Sequence, residues 1–157
     1  VLHELGSPPA LPTHKTRRTT MGRQIVRTAS RYEVSESFVR ALTIDDWVFV
    51  SNTSGRDYDK QEMSDTVEGQ TNQALDNIAR SLEAVGSSID DVVRRVVTIP
   101  NPDHAAEVMR IVGERFRNAS STNTVICSPL GGKEYIVEIE VTAYRGISKA
   151  ETETITI

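Results

Sequence analysis

Between residues 70 and 140 a helix-forming segment, a glycine stop, a β-branched run, a second helix and a closing strand follow with little loop between them. That order admits few folds. In QTNQALDNIARSLEAVG (70–86), Ala74, Leu75, Ile78, Leu82 and Val85 recur at helical spacing, giving a single apolar face, and Gly86 supplies a left-handed stop. SSIDDVVRRVVTI (87–99) changes to a strand-forming run that Pro100 and Pro102 break, and Asp103 opens HAAEVMRIVGERF as a second amphipathic helix. TVICS (124–128) and YIVEIEVTAYR (135–145) read as the last strands, with Pro129, Gly131 and Gly132 turning between them.

Upstream, residues 23–29, 36–44 and 47–52 read as three further strands, with Asp45 and Asp46 in the turn between the last two. The polar segment 53–62 contains Gly55, and Ser64 or Asp65 is expected to cap the first long helix, with Glu68 at capping-box spacing from Asp65. The expected class is α+β, a mixed sheet with two helices on one face. The last strand carries apolar side chains on both faces, Val137, Ile139 and Val141 against Ile136, so the face away from the helices needs cover and the chain is expected to self-associate.

The 157 residues suffice for one domain with its own core. The formal charge of −4 is more acidic still in the folded part, because Lys15, Arg17 and Arg18 lie in the first twenty residues. This argues against a nucleic-acid surface. A single cysteine, Cys127, excludes an intramolecular disulfide framework and is expected to be a buried, inert thiol. No apolar run reaches the length of a membrane span, and a cytoplasmic protein without a membrane partner is expected. Residues 1–20 are Pro-, Thr- and base-rich without periodicity, and read as a disordered tail or an expression remnant. Residues 21–147 form the expected domain, and 148–157 a C-terminal extension that either adds an edge strand or trails.

The segments VFVSNTSG, QTNQALDNI, AVGSSIDDVVR, ERF and VEIEVTA, in this order and spacing, resemble the YjgF/RidA family of imine and enamine deaminases across residues 24–145. The resemblance implies a chorismate-mutase-like subunit, a homotrimer with a barrel-like core, small-molecule clefts between subunits and no cofactor. It also implies a catalytic role for Glu138, the first Glu of EIE, as the group that activates water at an imine carbon. The structural alternative for Glu138 is a solvated or salt-bridged strand carboxylate, which is the reading adopted for Glu140. Ser51 and Thr53 match the cleft-lining region after the third strand, and Phe38 matches a position often held by Tyr; core packing is the alternative there. Met109 reads as packing.

One departure is chemical. Asn123, or Thr122 after a one-residue slip, stands where the deaminases carry an arginine for a substrate carboxylate, and neither can bind a carboxylate bidentately. Arg40, two residues beyond Phe38 on the same strand face, is a candidate substitute, unless it pairs with Glu36 or Asp45. No histidine cluster has metal-ligand spacing. Three functions are therefore carried forward: a hydrolase of small imines other than simple amino-acid imines, a non-catalytic small-molecule binder of the same fold, and a ribonuclease, which the acidic charge disfavours.

Overall fold

The computed structural model describes residues 22–157, so the tail 1–20 lies outside the described residues. Eight strands and three α-helices follow in the order β1 (Arg23–Val26), α1 (Arg31–Ser35), β2 (Ala41–Ile44), β3 (Trp47–Ser54), β4 (Arg56–Asp57), β5 (Glu62–Met63), α2 (Val67–Glu83), β6 (Val92–Thr98), α3 (Ala105–Arg115), β7 (Thr122–Ile126) and β8 (Glu138–Tyr144). The main sheet runs β1-β2-β3-β8-β6-β7, with β4 and β5 forming a separate small hairpin. β6 and β7 are parallel, joined across α3, and the other neighbours in the sheet are antiparallel. The mixed α+β architecture expected from the sequence is the one observed.

The core lies between the sheet and α2 with α3. Ala74, Leu75, Ile78 and Leu82 of α2 are buried, as are Val108, Ile111 and Val112 of α3, and they meet Val48, Val50, Val97, Ile139 and Val141 of the sheet. Gly86 is left-handed at φ 74° and ends the α2 region as its residue type predicts. The helix start differs from expectation. Thr66, rather than Ser64 or Asp65, is the N-cap, its hydroxyl accepting from the Gly69 amide at 3.0 Å while the Ser64 hydroxyl accepts from the Thr66 amide. Glu68 is then one position too early to complete a capping box.

The expected strand 36–44 is also corrected. A one-turn helix, α1, precedes it and Ser37 is left-handed at φ 57°, so regular pairing begins only at Ala41. The cause is the buried Glu33, whose carboxylate accepts from the Thr28 amide at 3.0 Å and the Thr28 hydroxyl at 2.6 Å and ties the turn to β1. Opposite the helices, Ile25, Ile44, Trp47 and Phe49 remain exposed, with Trp47 stacked near Phe49 and edge-on to Tyr144. At the other end, Asp91 holds the C-terminal turn Ile147–Lys149, accepting from the Ser148 hydroxyl at 2.7 Å, the Ser148 amide at 3.2 Å and the Ser87 hydroxyl at 3.1 Å.

Candidate functional site

The site begins with an irregularity in β3. Val50 faces Val141 and Thr53 faces Ile139, so Ser51 and Asn52 together oppose the single residue Glu140. This is a β-bulge. Regular alternation would send Asn52 into the core and Thr53 outward beside Ser51; the extra residue exchanges the two. Asn52 turns outward, and its Nδ2 donates to Oε2 of Glu138 at the head of β8. Thr53 is fully buried instead, its hydroxyl donating to the Ser51 carbonyl at 2.6 Å and accepting from Nη1 of Arg40 at 3.1 Å.

Arg40 is 3% exposed and lies across the base of the site. Its Nε donates to Glu33 Oε1 at 3.4 Å and its Nη1 to the Asn52 carbonyl at 2.9 Å, while its guanidinium sits 5.5 Å from the Phe38 ring centroid and 5.4 Å from that of Tyr58. The expected alternative partners, Glu36 and Asp45, are not the ones it uses. Among the described residues Nη2 donates to nothing, and Arg40 lines an open cleft of about 510 Å³ together with Phe38, Ser51, Asn52 and Glu138. Tyr32 and Glu36 enclose the α1 side, and Glu134 and Tyr135 the opposite side.

That opposite wall is set by one buried side chain. Gln70, in the first turns of α2, donates from Nε2 to the Ser64 carbonyl at 2.8 Å and the Glu134 carbonyl at 2.7 Å, and its Oε1 accepts from the Ile136 amide at 2.9 Å. It can come this close because residue 55 is glycine: a Cβ there would collide with the Gln70 backbone. Glu138 is half-buried. Burial pushes its pKa up, and the nearby Arg40 charge pulls it partly back. A carboxyl so tuned exchanges protons closer to neutrality than a solvated one.

Of the residues singled out from the sequence, Glu138, Phe38, Arg40 and Ser51 converge on the cleft, Ser51 donating to the Val39 carbonyl at 2.7 Å. Thr53 does not reach it, because the bulge turns it inward behind Arg40. Asn123 does not either: it lies on the edge strand β7, where its Oδ1 accepts from Arg95 Nε at 2.9 Å. Glu140 pairs with Arg94 at 2.9 Å. Cys127 is exposed, a correction to the buried thiol expected, since it follows the outermost strand. Asn52, Glu33, Tyr58 and Gln70 escaped sequence reasoning; a glycine shortly after a strand run was the one signal of a bulge or close approach. Among the described residues no group of His, Cys, Asp and Glu could hold a metal ion, and no helix is long and apolar enough to cross a membrane.

The model of the endoribonuclease L-PSP family matches residues 28–145. The chain belongs to this family. It is the YjgF/RidA family that the motifs resemble, and its solved members share the L-PSP chain's architecture. A YjgF/YER057c/UK114 family protein from Mycobacterium tuberculosis is 27% identical, with a TM-score of 0.71 over 78% of this chain and 99% of that one. A RidA from an Antarctic Psychrobacter is 22% identical, with a TM-score of 0.69 over 77% of this chain and 98% of that one, a likeness of fold. Among curated relatives, a RutC family protein of Pyrococcus horikoshii is 29% identical over 79 residues, which span 50% of this chain and 63% of that protein. A RutC family protein of Pyrococcus abyssi is 21% identical over 80% of this chain and 99% of its own length.

Proposed function

We propose that this L-PSP family chain hydrolyses the C=N bond of a small imine or enamine, in a cleft completed by neighbouring subunits of a homotrimer. The observation that carries this reading is Glu138, a half-buried carboxylate with a raised pKa, held by Asn52 at a cleft whose floor is Arg40. In the proposed reaction Glu138 takes a proton from water as its oxygen bonds to the iminium carbon. The protonated Glu138 then returns that proton to the amine nitrogen; as the C–N bond breaks, the re-formed carboxylate takes the remaining proton from the carbinol hydroxyl and passes it to the departing ammonia, so that a carbonyl and ammonium leave and water is the only co-reactant. Arg40, held by Thr53, presents Nη2 to a ligand oxygen, Phe38 supplies a wall and Ser51 a polar edge. Asn123, on the edge strand, contributes a neutral amide at a subunit boundary.

Imines of simple amino acids such as serine or threonine are poor substrates in this reading. Without the arginine that would clamp their carboxylate, binding falls roughly ten- to a hundredfold, the worth of a charge-assisted hydrogen bond of about 1.5–3 kcal/mol. The same missing arginine favours the second reading, a binder that keeps the cleft without turnover. We place the protein in the cytoplasm, where an exposed free thiol such as Cys127 is stable to oxidation. The test is ammonia release from a panel of freshly generated imines. Turnover that falls about a hundredfold or more in Glu138→Gln supports the hydrolase; no release from any imine, or release indifferent to the variant, removes it.

A further inference from the structure

The charges that face the cleft are not balanced. Arg40 and Arg56 line it, and so do Glu36, Glu134 and Glu138. The two cations are engaged. Arg40 is paired with the buried Glu33 at 3.4 Å, while Arg56 donates to the Gln61 carbonyl at 3.1 Å. The three carboxylates have no ion-pair partner among the described residues. With the Arg40–Glu33 pair neutral as a unit, Arg56 offsets one of the three carboxylates, and the charge this chain presents to the cleft stays negative, which a recess focuses.

A second observation is independent of those acids. Arg40 is more than nine-tenths buried and has one amino group, Nη2, that donates to nothing among the described residues. A guanidinium N–H on a cleft wall with no protein acceptor is free to donate to a ligand oxygen. That oxygen is better neutral than ionised, because a carboxylate there would compete with Glu33 for Arg40 and face Glu138 as a like charge. Tyr32, Phe38 and Tyr135 give the recess flat apolar walls, and its volume suits a ligand of amino-acid size or slightly larger.

We propose that the cleft selects a ligand carrying a positively charged nitrogen and a neutral carbonyl oxygen on a planar or aromatic body, as in the imine of an amino-acid amide, and discriminates against the corresponding free acid. The cationic nitrogen lies toward Glu138 and the carboxylates of Glu36 and Glu134; the carbonyl oxygen accepts from Arg40 Nη2. This rests on the proposed hydrolase site but concerns which ligands enter it, so it is tested with stable amines that release no ammonia.

The probes are phenylalaninamide, phenylalanine and 3-phenylpropionate, which share a phenyl body and differ in charge, titrated against the full chain by amide NMR. Phenylalaninamide is expected to bind at least about tenfold more tightly than 3-phenylpropionate, with phenylalanine between them. In the doubly substituted Glu36→Gln, Glu134→Gln protein the preference should shrink several-fold; both side chains are exposed, so the fold is not at stake. Tighter or equal binding of 3-phenylpropionate, no binding of phenylalaninamide, or an undiminished preference in the double variant would overturn the proposal. A protein that hydrolyses imines yet prefers the acid loses only this inference, whereas one that binds in the predicted order yet hydrolyses nothing loses only the catalytic reading.

Discussion

Glu138 and Arg40 are coupled through Asn52, which gives its side-chain N–H to one and its backbone carbonyl to the other. The two should respond oppositely to substitution. A carboxyl whose pKa is raised on folding holds its proton more tightly in the native state, so stability is lost as pH climbs from the ordinary Glu value through the raised one. Glu138→Gln removes that loss: above this window the variant should melt at the same temperature as the wild type or higher, and its advantage should vanish in acid. A lower melting temperature at neutral pH would show that the carboxylate is structural. Arg40→Ala should instead cost about 3–5 kcal/mol in denaturant titration, because it strands Glu33, which is 2% exposed, as an unpaired buried charge. A loss under about 1 kcal/mol would mean that the pair contributes little.

At the scale of elements, the site depends on how α2 sits against the end of β3. Gly55→Ala would force apart the contact with the Gln70 backbone, with an expected cost of about 1–3 kcal/mol or more. Gln70→Leu would leave the Ile136 amide without its acceptor, and exchange of that amide should accelerate while the exchange of Leu75 and Ile78 in α2 holds. Asp91 fixes the C-terminal turn. Burial pushes its pKa up, but hydrogen bonds from the Ser148 side chain, the Gly146 and Ser148 amides and the Ser87 hydroxyl together outweigh this and hold it below the ordinary carboxylate range. A depressed carboxyl stabilises above its unfolded pKa and loses that effect as pH falls through the folded one. Asp91→Asn should therefore narrow the fall in melting temperature between neutral and strongly acidic pH; an unchanged acid limb would assign the loss to other carboxylates.

These elements also mark where the sequence was readable. The apolar period of α2, the stop at Gly86 and the β-branched run of β6 are local signals and survive in the fold. The bulge at Ser51 and Asn52 depends on register with β8, 86 residues away along the chain from Asn52 to Glu138, so nothing local to β3 signals that Thr53 turns inward, away from the cleft that the family resemblance implied for it. Likewise nothing local to the sequence marks Glu33 for burial, which Arg40 and Thr28 create by folding around it.

For the whole molecule, the exposed row of Ile44, Trp47 and Phe49 on the sheet face away from the helices is the surface a homotrimer would bury. Light scattering at micromolar concentration should give three times the chain mass, and Phe49→Asp should lower it; a wild-type monomer would contradict the assembly and leave the cleft half-walled. The most direct measurement is the pH dependence of kcat/KM for ammonia release from the best imine of the panel. If the ionised Glu138 takes the proton from water, the rate rises with pH through an apparent pKa above the ordinary Glu value, and Glu138→Gln lowers the rate and abolishes that limb. A limb at or below the ordinary value, or one that persists in Glu138→Gln, would show that another group performs the chemistry.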